Sequence, residues 1–340
     1  MTQEVLFEIV GKSGVITLNR PEALNALTLN MVRRMKPVLA EWASDDAIEH
    51  VIIEGAGEKG FCAGGDIRAL YEWGKCGAPE ATGFYREEYQ LNRTIKNYPK
   101  PYIALIDGIT MGGGVGVSVH GLYRVATERT MFAMPETGIG LLPDVGGTFF
   151  LPRLPGEIGA WLVLTGARLR GADALASQVA THYIPSDNIN TLKAALAEGG
   201  NVDAILAVHH HEPKGANLPQ QQADIDRLFA GNSVGDIHAA LLADGGGWAK
   251  QQAEALASKS PTSAAVALRQ MRDGFNVDFD ECMRIEMRAV TRIMEQADFY
   301  EGVRATIIEK DGAPNWTPQQ DIDAIFAPLG DDELHFEGEA

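Results

Sequence analysis

Three short stretches of the 340-residue sequence gather acids and glycines: FCAGGDIRAL (61–70), GITMGGGVGVSVHG (108–121) and MPETGIGLLPDVGGTFFLPRL (134–154). The third carries Glu136 and Asp144, each directly after a proline, among Gly138, Gly140, Gly146 and Gly147. Straight helix would hold acids at this spacing about 12 Å apart. Proline and glycine break such a helix, so the loop can fold back and turn both carboxylates into one site. Paired there, they could serve as nucleophile, base or acid; the bland alternative is two surface loop acids. The glycine cluster raises a different question, because each glycine inside a helix or strand costs about 0.5–1 kcal/mol. Four of them between an apolar strand and a helix mean either close packing or a ligand laid on the main chain. Two glycine loops can each aim one backbone N–H at a single carbonyl oxygen. A helix opening near Gly113 would add its positive end. Together these make an oxyanion hole, which would suit a thioester carbonyl.

The elements that must position these residues alternate through the first half of the chain. VLFEIV and GVITLNR read as strands joined by the turn GKSG. Thr28 can cap a helix running to about Trp42, with Met31, Met35, Val38, Leu39 and Trp42 on one side and Pro37 inside it. HVIIEG, PYIALIDG, YRVAT and MFAM read as strands, and residues 80–97 as a helix. This alternation predicts an α/β fold. After about residue 200 only helical patterns follow, among them TLKAALAEG, SAAVALRQMRDG and FDECMRIEMRAVTRIMEQ. HHHEPKGANLPQQQ reads as a polar loop between the two regions.

Other sources of chemistry have little support. No complete G-x-G-x-x-G and no P-loop motif occurs. His209, His210 and His211 are adjacent, which does not aim them at one metal. Cys62 lies in a glycine loop but has no base suggested nearby. The formal net charge of -17 argues against nucleic acid or an anionic membrane as partner. A small anionic ligand remains compatible with it. No segment is apolar for long enough to span a bilayer, and MTQEVLFEIVGKSG lacks the pattern of a secretory signal. Three cysteines without a CxxC pair suit a reducing cytoplasm, so a cytoplasmic location is expected.

The ordered set NRPEALNAL, GFCAGGDIRAL, KPYIALIDGITMGGGVGVSVH and MPETGIGLLPDVGGTFFLPRL resembles the crotonase (enoyl-CoA hydratase/isomerase) superfamily. FYREEYQLN, SPTSAAVALRQM and DFYEGVRATIIEKDGAPNW extend the likeness over nearly the whole chain, toward the family's thioester hydrolases acting on a 3-hydroxyacyl-CoA in valine degradation. The resemblance implies an α/β fold: a crotonase-like spiral of ββα turns over 1–200, holding the active site, and a helical region over 201–340. It implies oxyanion donors at Gly65 and Gly113, so that a side chain at 112 to 114 would crowd the thioester off the hole. It also implies that the adenine end of CoA lies against the backbone of Asp66, Ile67 and Arg68, and that Glu88 lines the acyl pocket. Glu136 would attack the carbonyl or activate water, and Asp144 would bind the 3-hydroxyl. The implied partner is an acyl-CoA substrate, with no metal or other cofactor required and room for a homo-oligomer.

The family's hydratases use two glutamates. One matches Glu136; the other follows the triple glycine, where this chain has Gly116. The chain instead has Asp144 where hydratases usually have glycine. The competing readings are an enoyl-CoA hydratase or isomerase, and a catalytically silent acyl-CoA-binding protein.

Overall fold

The structure, a computed structural model, describes residues 3–338. It opens with two antiparallel strands, β1 (Val5–Val10) and β2 (Ser13–Leu18). Gly11 turns the chain between them at φ +58°, so close to the Ala197 carbonyl that a Cβ would overlap it. Thr28 then accepts the Met31 N–H and starts α1 (Leu29–Ser44). Met31, Met35, Leu39 and Trp42 are buried on one side of α1, and Pro37 lies inside the helix without ending it. The buried stripe thus outweighs the hydrogen bond that proline removes.

The chain continues as β3 (His50–Gly55), β4 (Gly60–Cys62), α2 (Ile67–Cys76) and α3 (Glu80–Lys96). Next come β5 (Tyr102–Ile106), β6 (Ile109–Met111), the single turn α4 (Gly113–Gly116), β7 (Tyr123–Ala126) and β8 (Met131–Ala133). Two further strands of two residues each, β9 (Leu169–Arg170) and β10 (His182–Tyr183), complete two sheets. One runs β1-β2-β3-β5-β7-β10 and the other β4-β6-β8-β9. From β3 to β8, each strand pair adds its first member to the larger sheet and its second to the smaller. This is the expected spiral of ββα turns. Strands β3 and β5 pair in parallel and are buried at nearly every position. A strand covered on both faces has no reason to alternate apolar with polar residues. One cover is supplied by the helices Ile189–Ala197 and Val202–His209, whose Leu192, Leu196 and Leu206 join Val15, Ile52, Ile103 and Val125 in one cluster.

Two compact units emerge, with interleaved segments. The first comprises the chain up to Gly65, Gln90–Phe132 and Arg168–Pro219; the second comprises Asp66–Tyr89, Ala133–Ala167 and everything from Gln220 on. No strand follows β10 among the described residues. In HHHEPKGANLPQQQ the loop ends earlier than expected. A helix runs Leu218–Leu228, its start fixed by Asp173, whose Oδ1 accepts the N–H groups of Asn217 (2.7 Å) and Leu218 (2.8 Å).

Candidate active site

In the first unit the two glycine loops run side by side. After β4, Ala63 donates to Leu24 O (3.0 Å) and Gly64 O accepts from Leu27 N (2.8 Å), which fixes the loop against residues 24–27. Gly64 has φ +115°, and a Cβ placed on it would lie 3.6 Å from Met111 O and 3.9 Å from Gly113 N. After β6, Gly112 turns the chain at φ 47° and ψ -122°, a conformation open to glycine alone. Its carbonyl accepts from Val115 N (2.7 Å) and Gly116 N (3.2 Å), closing α4. No backbone carbonyl among the described residues takes the N–H of Gly65 or of Gly113. For Gly113 this follows from its place as the first residue of a helix. Two unspent amides thus sit on neighbouring loops, as an oxyanion hole requires. The expected dipole contribution is small, because α4 is only one turn long.

The triple glycine serves three purposes. Gly112 makes the turn and Gly113 presents its amide. At Gly114 the expectation of a thioester lying against the backbone is corrected: a Cβ there would meet Cys62 O at 2.3 Å and Cys62 Cβ at 2.8 Å. Close packing of α4 on β4 explains that position. Cys62 itself is fully buried.

In the second unit the loop carrying the acids is folded back, as its prolines and glycines imply. Glu136 opens a 3-10 turn (Glu136–Ile139), and Gly140 follows in the left-handed region at φ 70°. The helix Ala297–Val303 lies against this turn through bare backbone. A Cβ on Gly140 would meet Asp298 O at 2.2 Å, and one on Gly302 would meet Ile139 C at 2.3 Å. Further on, Asp144 O accepts from Gly147 N at 2.8 Å. Val145 and Gly146 between them both have positive φ, 54° and 84°. For a β-branched valine this is strained backbone, of the kind that persists where surrounding structure imposes it.

Both acids are buried, Glu136 at 5% exposure and Asp144 at 4%. Neither is a surface acid. Glu88 on α3 is buried too, and the Oε2 of Glu136 and the Oε1 of Glu88 have no hydrogen-bond partner. Tyr89, next to Glu88, donates to Asp144 Oδ2 at 3.0 Å. Burial pushes the Asp144 carboxyl up to about 7, against the pull of the Tyr89 hydrogen bond. Burial and then the charge of Asp144 hold Glu136 well above the usual carboxylate range. Burial, Asp144 and Glu286 do the same for Glu88. A carboxylate base held high is better matched to chemistry near neutral pH than an exposed one.

Two residues of this cluster were not singled out from the sequence. Tyr89 lies in the quoted FYREEYQLN, but only the fold shows its hydroxyl directed at Asp144. Glu286, in the helix Phe279–Ile293, is completely buried. The other expected residues, Asp66, Ile67 and Arg68, form the start of α2. The Asp66 carboxylate accepts the Ala69 N–H (3.2 Å) as its cap, Ile67 is half-buried and Arg68 is exposed. His210 is drawn into local structure, its Nδ1 accepting the Tyr183 N–H at 3.2 Å.

A model of the enoyl-CoA hydratase/isomerase family matches residues 13–325. A relative from Danio rerio, described as 3-hydroxyisobutyryl-CoA hydrolase, mitochondrial, is 50% identical over 97% of this chain and 91% of its own length. A solved carnitinyl-CoA dehydratase from Mycobacterium thermoresistibile is similar with TM-score 0.94 and 43% identity, covering 99% of this chain and 100% of that one. An enoyl-CoA hydratase from Rhodobacter sphaeroides 2.4.1 gives TM-score 0.91 and 40% identity, covering 98% and 100%.

Proposed function

The chain belongs to the enoyl-CoA hydratase/isomerase family, and within it we propose that the protein is an acyl-CoA thioester hydrolase whose substrate is 3-hydroxyisobutyryl-CoA. The carbonyl oxygen of the thioester accepts the N–H groups of Gly65 and Gly113, which stabilise the negative charge that develops on it. Glu136 supplies the electron pair for attack. It acts directly on the carbonyl carbon, giving a mixed anhydride that water then opens, or it takes a proton from the attacking water. On either route the C–S bond breaks and CoA leaves with the electron pair as the thiolate, which takes up the proton that the attacking water gives up. Asp144 accepts the substrate 3-hydroxyl on Oδ1 while Tyr89 occupies Oδ2. Glu88 lines the acyl pocket, and the adenine end of CoA follows the backbone of Asp66, Ile67 and Arg68. The scheme calls for no cofactor beyond the CoA of the substrate. We propose a reducing compartment on the strength of the three free thiols, with the cytoplasm as the expected one; the Danio rerio relative is described as mitochondrial.

The observation that carries this reading is the exchange of acids. Gly116 is buried and offers no side chain where the resemblance places a hydratase glutamate, whereas Asp144 is buried beside Glu136 and Glu88. The second reading, hydration or isomerisation of an enoyl-CoA, is favoured by the descriptions of the two solved structures. Paired kcat/KM values on one preparation separate the two. One follows release of free CoA thiol from 3-hydroxyisobutyryl-CoA, the other loss of enoyl absorbance from crotonyl-CoA. Lacking one positioned acid or base typically costs about 10²–10⁴-fold, so hydration should be at least about a hundredfold slower. Faster hydration would place the protein with the hydratases despite Gly116.

A further inference from the structure

The Glu286 carboxylate bridges the turn that follows Asp144. Its Oε2 accepts the N–H of Gly146 and its Oε1 the N–H of Thr148, both at 2.8 Å. The first of these amides lies between Val145 and Gly146, which both take positive φ, and the second lies two residues further on. A buried N–H left without an acceptor costs about 1–3 kcal/mol, so a single side chain satisfies the two donors that the strained turn exposes. The neighbouring helix Pro261–Asp273 grips the same loop. Gln270 Nε2 donates to Pro143 O (3.0 Å) and to Thr148 Oγ1 (2.8 Å). Asp144 lies between these anchors, with Tyr89 holding one of its oxygens.

We propose that Glu286 is a positioning residue for the reaction: by clamping the backbone at Gly146 and Thr148 it fixes the direction of the Asp144 carboxylate toward the substrate 3-hydroxyl. The choice of a carboxylate at this place supports that role. A second carboxyl near Asp144 is a poor way to stabilise a core, whether it is charged or holds a proton. Holding two diverging N–H groups with one rigid group is what a carboxylate does well. A neutral amide of the same size keeps one acceptor and turns an N–H₂ against the other donor.

The inference rests on Asp144 binding the hydroxyl, and the test separates the two. Wild type, Glu286→Gln, Asp144→Asn and the double variant are compared on 3-hydroxyisobutyryl-CoA and on isobutyryl-CoA, which lacks the hydroxyl. Misplacement of a group by about 1 Å can cost 10²-fold. Glu286→Gln should therefore lose about 10–100-fold in kcat/KM on the hydroxylated thioester and less than about threefold on the other. The double variant should fall within about twofold of Asp144→Asn alone, since the two act through one carboxylate. Equal losses on both substrates, or losses that multiply in the double variant, would overturn the positioning role. If Asp144→Asn by itself shows no preference for the hydroxylated substrate, it is the hydroxyl assignment that fails. Should Glu286→Gln not fold, Glu286→Asp, which keeps the charge but falls short of the two amides, is measured on the same pair with the same expectations.

Discussion

Glu136 must carry its charge to act, whether it attacks the thioester or takes a proton from water. Its surroundings work against that charge. Burial comes first, and the negative charge of Asp144 second. The acid limb of the kcat/KM profile should consequently lie above the pH range of an ordinary carboxylate. Asp144→Asn removes one of the two causes while keeping the shape, so the limb should move to lower pH. Isobutyryl-CoA is the substrate to use, because the lost hydroxyl contact then does not enter. A limb that stays in place, or moves upward, would mean that Asp144 does not set the proton affinity of Glu136. At this scale the sequence was informative where chemistry is written into a local motif. Glu136 and Asp144 stand out because proline and glycine rule out a plain helix around them. Glu286 does not, because an acid in an amphipathic helix reads as part of a solvent face, and the two amides it serves lie far back along the chain.

Helix α3 carries a polar stripe into the interior. Tyr85, Glu88, Tyr89 and Asn92 are spaced to share one face, and all four are buried. Asn92 is wholly buried with neither amide atom hydrogen-bonded. An unmet buried polar group costs about 1–3 kcal/mol, so a stripe kept at that expense serves something other than stability. Asn92→Leu, which keeps the branched shape without the polar atoms, should raise stability by about 1–3 kcal/mol in denaturant unfolding and at the same time lower turnover. A less stable variant would show instead that the carboxamide is already satisfied in solution. The glycine loop makes the opposite case. Gly114→Ala drives a Cβ toward the Cys62 carbonyl at 2.3 Å, which only a backbone shift can relieve. Overpacking of this kind costs about 1–3 kcal/mol, and a variant unfolding at the wild-type midpoint would remove close packing as the reason for that glycine. The ββα spiral was implied by the resemblance; the capped helix after Thr28 and the helical character beyond residue 200 were legible in the chain itself, because each rests on periodicity or a local cap. Strands β9 and β10 were not, since two residues cannot show an alternation. Nor was the helix start at Leu218, whose cap comes from Asp173, distant in sequence.

The chain as a whole carries a formal charge of -17 and nevertheless buries Glu88, Glu136, Asp144 and Glu286. No lysine or arginine charge figures among the causes that shift these four groups. This arrangement gives stability a definite dependence on pH. Burial pushes Asp144 up to about 7 from an ordinary value of 3.8. Burial and the charge of Asp144 push Glu286 up to about 8 from 4.5. A group whose proton is held more tightly in the folded state stabilises that state while it stays protonated, and the contribution is lost as pH rises through the folded value. The window for these two therefore runs from about pH 4 to about pH 8. Half-buried acids such as Glu301, held down to about 2 chiefly by hydrogen bonds from Arg304, act in the opposite sense. They lose their contribution only as pH falls from about 4.5 to about 2, and solvent screening weakens it. Self-repulsion among surplus carboxylates also eases toward acid. Both leading effects have the same sign above pH 5, so the thermal unfolding midpoint should be higher at pH 5.5 than at pH 8. Asp144→Asn should flatten that difference, because the asparagine has no proton to lose. Its advantage over wild type should be larger at pH 8 than at pH 5.5 by about 2 kcal/mol, an order-of-magnitude figure from the part of the shift that lies above pH 5.5. Midpoints that rise toward pH 8, or a variant that follows the wild-type slope throughout, would show that the buried acids are solvated or paired in solution and do not govern the stability of the fold.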